Sequence, residues 1–152
     1  MPELHLRTRI AATVEECFDL SVPVDAHTRS MGSSGERAVA GVTSGQLKLD
    51  DVVTWQARHF GLPFRMTVRI TSYDRPASFV DEQVRGPFGS WWHEHRFDVL
   101  EGVTVMTDRV RFSSPLGPVG RVVDAIVLER YMLRLLEQRN RWLTLALEER
   151  HD

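Results

Sequence analysis

Two histidines separated by a single residue, His93 and His95, lie in the segment GPFGSWWHEHRFDV. Side chains of a β-strand alternate between its two faces. As a strand, this segment places both histidines on the face that also carries Trp91, Phe97 and Val99. A packed apolar core does not require histidines. The pattern therefore favours a metal site, an acid/base site or a ligand pocket on this face.

Charged residues on the predicted strands before and after the histidine strand share the inward direction. Asp81 alternates in phase with Phe79, although Val80 on the same strand favours the opposite direction, and Asp108 alternates in phase with the apolar residues of its own strand. Arg139 lies in the middle of the apolar stripe of a C-terminal helix. Because burying an unpaired charge is costly, we expect Arg139 to pair with Asp108, with Asp81 as the second choice of partner.

Three roles are open for this polar set. A buried network of aspartate, histidine and arginine can be structural, closing the polar ends of a curved sheet and fixing strand register. It can orient a ligand, since binding pockets are mostly apolar with a few fixed polar groups. It can also catalyse a reaction, with a histidine as general acid or base.

A metal site is the least favoured of these interpretations. His93 and His95, together with Asp108, imitate a set of two histidines and one carboxylate. The pattern His-x-His is, however, common by chance. We therefore expect no metal ion and no other cofactor.

The remaining reactive side chains are expected to be structural or solvated. Cys17 lies on the apolar face of a predicted helix, which indicates an inert core residue. His5 and His27 are expected to be solvated. His59 either faces inward or caps a hairpin, and the GPFG segment is either a plain turn or part of a pocket mouth.

Composition indicates a single domain over residues 1–152, with 42% hydrophobic and 26% charged residues. The net charge of −2 gives no indication of a nucleic-acid partner. The single cysteine fits a reducing compartment. The N-terminal residues lack the apolar core of a signal peptide, and no stretch approaches the ~20 apolar residues of a membrane span. We therefore expect a cytoplasmic protein without stable membrane insertion.

The order of predicted elements indicates an α+β fold. A first strand precedes a helix that opens with a capping box, Thr13 with Glu16, and Pro23 begins a second short helix. A helix of strong helix formers is predicted over Val119–Glu149, with a bend near Glu129 or a separate first turn before it. Further strands are predicted at residues 37–42, 51–60, 62–73, 78–84, 90–100 and 103–113.

The apolar face of a single antiparallel sheet must be covered by another element, and the C-terminal helix is the only predicted element long enough to do so. A curved sheet and a straight helix do not contact each other along their whole length. The sequence therefore predicts a curved antiparallel sheet wrapped around the long helix, with an internal cavity between them.

This order, together with five segments, resembles the START/SRPBCC superfamily, which has the helix-grip fold of birch-pollen-allergen-like proteins and polyketide cyclases. Bacterial ligand-binding SRPBCC proteins are the most similar group. The segments are DDVVTWQARHFG, FVDEQVRGPF, WHEHRF, MTDRVRFSSPLGPVG and LLEQRNRWL. The resemblance implies a cavity for a hydrophobic or amphipathic molecule, without fixing which one.

The sequence thus predicts a protein that binds a lipid, a polyketide-like or an isoprenoid compound, and a homodimer is compatible with it. His93, His95, Asp108 and Arg139 would orient the polar head of the ligand. The predicted apolar wall consists of Trp55, Phe64, Met66, Val68, Trp91, Phe97, Val110, Phe112, Tyr131 and Leu135. Two alternatives stay open: an enzyme similar to polyketide cyclases, aromatases or hydrolases, and a regulatory or chaperone-like module that binds a protein.

Overall fold

The computed structural model describes residues 3–31, 34–114, 117–123 and 127–151. Seven strands lie in this part of the chain: β1 (Glu3–Ile10), β2 (Arg37–Gly41), β3 (Val52–His59), β4 (Leu62–Asp74), β5 (Ser78–Arg85), β6 (Ser90–Leu100) and β7 (Val103–Ser113). The helices are α1 (Val14–Ser21), α2 (Val24–Ser30), α3 (Gly117–Val123) and α4 (Glu129–Glu148), and a short 3₁₀ turn (Glu149–His151) follows α4.

The strands form one sheet in the order β1-β7-β6-β5-β4-β3-β2, and all neighbouring strands are antiparallel. From β2 onwards each strand pairs with the next along the chain. The first two strands lie at opposite edges, and α1 and α2 carry the chain between them. The predicted α+β class and antiparallel sheet are confirmed.

The structure describes two helices in the C-terminal region. The segment predicted as a helix over Val119–Glu149 contains most of α3 and all of α4. The bend or separate first turn expected near Glu129 stays a prediction. Residues 124–126 lie outside the described residues. Within the described part of the chain, no helix is long and apolar enough to cross a bilayer.

The start of α1 follows from its capping box. Thr13 Oγ1 accepts a hydrogen bond from the backbone N–H of Glu16 (3.1 Å), and the Glu16 carboxylate accepts one from the backbone N–H of Thr13 (3.3 Å). The helix then buries Cys17 and Phe18 completely. The expectation that Cys17 is a core residue is confirmed, and burial raises the pKa of its thiol to about 11.

The two halves of α4 meet different surroundings. In the C-terminal half, Leu143 and Leu147 pack into an apolar cluster with Ile10, Phe18 and Met106. In the N-terminal half, the helix lies beside a cavity. Register shifts between β4 and β5 mark bulges, and bulges bend a strand away from a straight path. This is consistent with a sheet that contacts α4 at one end and leaves space at the other.

Val99, which alternation places on the same face as the histidines, is 66% exposed rather than buried. The pairing of β6 with β5 ends at Ser78↔Arg96, so the end of β6 pairs with β7 alone. The alternation therefore continues past the β5 pairing, at a level where Val99 lies opposite Thr104 of β7 and Thr104 lies opposite Ile10 of β1.

Candidate functional site

A cavity of about 360 Å³ lies between the helix-covered face of the sheet, α2 and the N-terminal half of α4. It is lined mainly by aromatic and aliphatic side chains. Most residues predicted for the ligand site line this cavity: Trp55, Phe64, Met66, Val68, Trp91, His93, His95, Tyr131, Leu135 and Arg139. Their role in ligand binding stays a prediction.

Four residues predicted for the same site, Phe97, Asp108, Val110 and Phe112, are buried but do not line the cavity. Val110 and Phe112 pack in a cluster with Leu136, and Phe97 packs edge-on against Phe18. These residues do face inward, as predicted, but other side chains cover them. They support the wall rather than form its surface.

The GPFG segment contributes to the wall through Phe88. The Gln83 amide donates to the Phe88 carbonyl (2.8 Å) and accepts from its backbone N–H (3.3 Å). A Cβ on Gly86 would approach Gln83 Oε1 to 2.4 Å, so a larger residue there would displace the Gln83 side chain that holds Phe88. The loop is therefore part of the pocket, which was one of its two predicted roles.

A network of polar side chains surrounds the guanidinium of Arg139 at the end of the cavity. Arg139 Nη2 donates to Asp108 Oδ1 (2.5 Å), which confirms the first choice of partner. Arg139 Nε and Nη2 both donate to Asn140 Oδ1 (3.0 and 2.8 Å). Asn140 Nδ2 donates in turn to Asp108 Oδ2 (2.8 Å) and Thr8 Oγ1 (3.0 Å). Asn140 is 2% exposed and was not predicted as a member.

The two histidines extend this network to Asp81. His93 Nε2 lies 2.8 Å from Asp108 Oδ1, and His95 Nε2 lies 2.8 Å from Asp81 Oδ2. Their rings stack with centroids 3.7 Å apart. Because Arg139 Nη1 donates to His95 Nδ1 (3.3 Å), that nitrogen is the acceptor. The geometry thus assigns the ring proton of His95 to Nε2, where it is donated to Asp81.

The charge states of three members follow from burial and contacts. Burial, together with the charges of His93 and Arg139, lowers the pKa of His95 to about 3. Burial alone would raise the pKa of Asp81, but the hydrogen bond from His95 and the charge of His93 lower it to about 2. Burial would also raise the pKa of Asp108, whereas the charge of Arg139 holds it far below its usual range. At neutral pH both carboxyl groups are therefore ionised and His95 is neutral.

Asp81 is the member of the network that reaches the cavity most fully. Its side chain is 18% exposed, against 0% for Asp108 and 6% for Arg139. The Trp91 indole N–H donates to Asp81 Oδ1 (3.0 Å), so the carboxylate is held from two sides. Asp81 thus points inward, as its alternation with Phe79 predicts, and not outward, as the position of Val80 on the same strand would favour.

Two further polar pairs line the cavity away from this network. His27 Nε2 lies 2.7 Å from Glu36 Oε1, and its ring lies over Trp55 with centroids 4.2 Å apart. The expectation that His27 is solvated is therefore wrong, since α2 packs against the sheet at this point. His59 faces inward, where Nδ1 lies 2.6 Å from Tyr131 Oη. Burial lowers the pKa of His59.

One group among the described residues has the donor set for a metal ion: Asp81, His93 and His95, whose ligand atoms all lie within 4.8 Å of one another. Several of these atoms already have partners, because His95 bonds Asp81 and His93 bonds Asp108. The Arg139 guanidinium, 3.3 Å from His95, adds a positive charge that would repel a cation. The expectation that no metal is bound stays a prediction.

Solved structures share this arrangement of strands and helices over nearly the whole chain. Protein Ms6760 from Mycobacterium smegmatis has a TM-score of 0.73 at 18% identity, covering 98% of this chain and 92% of that protein. TTHA0849 from Thermus thermophilus has a TM-score of 0.74 at 15% identity, covering 95% and 99%. The ginseng major latex-like protein 151 from Panax ginseng has a TM-score of 0.66 at 16% identity, covering 96% and 97%.

No protein-family model matches the sequence, and no curated protein matches it significantly. At these identities the structural likeness shows the fold. The chain has the helix-grip fold, and the resemblance to the START/SRPBCC superfamily is confirmed at the level of the fold.

Replacing Arg139 with Leu should lower the free energy of unfolding by about 3–5 kcal/mol, because it leaves the Asp108 carboxylate buried and uncompensated. The double variant Arg139→Leu with Asp108→Asn should be more stable than Arg139→Leu alone. The second substitution removes the uncompensated charge of Asp108 and keeps an amide oxygen opposite His93. The Asn140 side chain can flip its amide group to accept a hydrogen bond from the new asparagine. Urea unfolding of both variants and the wild type measures the difference.

Arg141→Leu is the matched control, since Arg141 is an exposed arginine on the same helix. It should change the free energy of unfolding by no more than about 0.5 kcal/mol. A double variant as unstable as Arg139→Leu would contradict the assigned charge pairing.

Stability should fall as the pH is lowered from about 6.5 to 4.5. Over this range His95 takes up a proton in the unfolded chain, at its ordinary pKa near 6.5, but not in the folded protein, where the pKa is about 3. The slope attributable to His95 approaches about 1.4 kcal/mol per pH unit. His95→Gln should remove this component, whereas His5→Gln, at an exposed histidine, should keep the wild-type slope. Equal slopes in the wild type and His95→Gln would show that His95 is not held neutral.

Proposed function

We propose that the protein binds an apolar small molecule in the cavity beside α4. The observation that carries this proposal is the composition of the wall, where aromatic and aliphatic side chains surround a space that ends in one fixed polar cluster. Ligand sites in proteins have this character, and their volumes run from about 300 to 1,000 Å³. The cavity of about 360 Å³ lies within that range.

The packing around the cavity supports the same proposal. Protein interiors are close-packed, and an unfilled apolar space lowers stability in proportion to its volume. Here the wall is stiff rather than collapsible, because Phe88 is fixed by Gln83 and Trp91 by Asp81. A bound apolar molecule would offset the lost contacts by filling the space.

The class of ligand remains that expected from the sequence: a lipid, a polyketide-like or an isoprenoid compound. The helix-grip fold supports small-molecule binding in general terms, but a fold accommodates many functions. The polar groups in the wall, rather than the fold, therefore distinguish one apolar ligand from another.

An enzyme is the second candidate, and the two polar pairs away from Asp81 favour it. Glu36 can orient His27, and His59 can exchange a proton with the Tyr131 hydroxyl, which is the arrangement that general acid/base catalysis uses. Burial raises the pKa of Tyr131, so this hydroxyl keeps its proton at neutral pH. Turnover of a bound molecule, abolished by both His27→Gln and His59→Gln, would favour the enzyme over a binding protein.

The neutral dye Nile red should bind the wild-type protein at about one equivalent, with the blue-shifted emission of an apolar environment. Ala57→Trp should abolish this binding, because Ala57 is a buried, small residue of the wall and the indole would fill the cavity. Fluorescence titration at equal protein concentrations measures both.

Val84→Trp is the control, since Val84 is 54% exposed on β5 and the same side chain there leaves the cavity open. It should bind the dye like the wild type. Failure of the wild type to bind the dye, or equal binding by Ala57→Trp, would count against a ligand cavity.

A further inference from the structure

The guanidinium of Arg139 is already committed to the protein and offers little to a ligand. Its Nε and Nη2 groups donate to Asn140 and Asp108, and Nη1 donates to His95. These contacts use four of the five N–H groups of an arginine. The side chain is also 6% exposed. A ligand carboxylate would therefore not find the free, fork-shaped pair of donors that arginine presents in a carboxylate site.

The group that the cluster does present to the cavity is an acceptor. Asp81 accepts hydrogen bonds from the Trp91 indole and from His95, while an ionised carboxylate has about four lone-pair positions. Its side chain keeps 18% exposure in the cavity wall. Acceptor capacity thus remains on a carboxylate that lies against the ligand space.

The charge balance of the cluster adds to this preference. The positive charge of Arg139 is matched by the negative charge of Asp108, which leaves Asp81 as a second negative charge. Even with a proton on both nitrogens of His93, the cluster has no net positive charge to attract an anion. Glu36, paired with His27, places another carboxylate in the wall.

Building on the proposed function, we propose that the cavity selects an apolar ligand with a hydroxyl group, a phenol or a long-chain or terpenoid alcohol, and excludes the carboxylic acid of the same skeleton. The hydroxyl donates to the free acceptor positions of Asp81. A hydroxyl suits this site better than an ammonium group, because an ammonium ion loses its full hydration on burial. An anion meets Asp81 directly in an environment of low dielectric, where repulsion between like charges is strong.

Two skeletons of different shape test the proposal in the wild-type protein at pH 7.5. The probes are 2-naphthol, 2-naphthoate and methyl 2-naphthoate for the aromatic skeleton, and farnesol, farnesoate and methyl farnesoate for the isoprenoid. Each dissociation constant is measured by displacement of Nile red or by calorimetry. On at least one skeleton the alcohol should bind roughly tenfold or more tightly than the acid. The methyl ester, which has no charge and no donor, should lie between them.

The outcomes separate this proposal from the proposed function. If the acid binds as tightly as its alcohol, or the ester matches the alcohol, on every skeleton that binds, the role of Asp81 is overturned while the cavity remains a ligand site. No binding of Nile red, with no binding of either skeleton in any form by calorimetry, would instead overturn the proposed function itself.

Replacing Asp81 with Asn removes the charge and keeps the size of the side chain. In Asp81→Asn the preference for alcohol over acid should fall roughly tenfold, mainly through tighter binding of the acid. Asp98→Asn, the same change at an exposed position of β6, should keep the wild-type preference. An unchanged preference in a folded Asp81→Asn would contradict the proposal, and the wild-type series decides it independently if that variant does not fold.

Discussion

The buried positive charge of Arg139 is the constraint around which the polar interior is built. A guanidinium does not lose its proton in a protein, so its burial requires a matched negative charge and a full set of acceptors. Asp108 supplies the charge, and Asn140 supplies both an acceptor and a link from Asp108 to Thr8. The result is a connection between α4 and the strands β1 and β7. It tolerates little displacement, because moving any one member would leave the hydrogen-bonding groups of the others without partners.

This cluster also divides the interior into two parts. Beyond it, the C-terminal half of α4 packs through Leu143 and Leu147 into a closed apolar core. Before it, the N-terminal half borders the cavity. His95 forms hydrogen bonds with both Arg139 and Asp81. Because Asp108 already balances the charge of Arg139, the polar group that faces the cavity is the Asp81 carboxylate. The same contacts that stabilise the fold thus make the end of the cavity an acceptor rather than a cationic site.

Periodicity predicted much of this arrangement and failed where non-local packing decides. Alternation placed His93, His95 and Asp108 on the inner face, and the cost of a buried charge predicted the partner of Arg139. Alternation does not tell which inward residues are covered by others, and so Phe112 was expected in the wall although it lies behind it. Nor does it reveal that α2 brings His27 over Trp55, since that contact depends on how two distant elements pack.

The protonation state of His95 tests the charge assignment of the buried network most directly, because His95 connects Arg139 to the carboxylate that faces the cavity. ¹⁵N NMR of the histidine rings at pH 7, with the His95 signals assigned by their loss in His95→Gln, measures it. A neutral ring is expected, with the proton on Nε2 and an unprotonated Nδ1 that accepts from Arg139. A ring protonated on both nitrogens, or on Nδ1 alone, would contradict it.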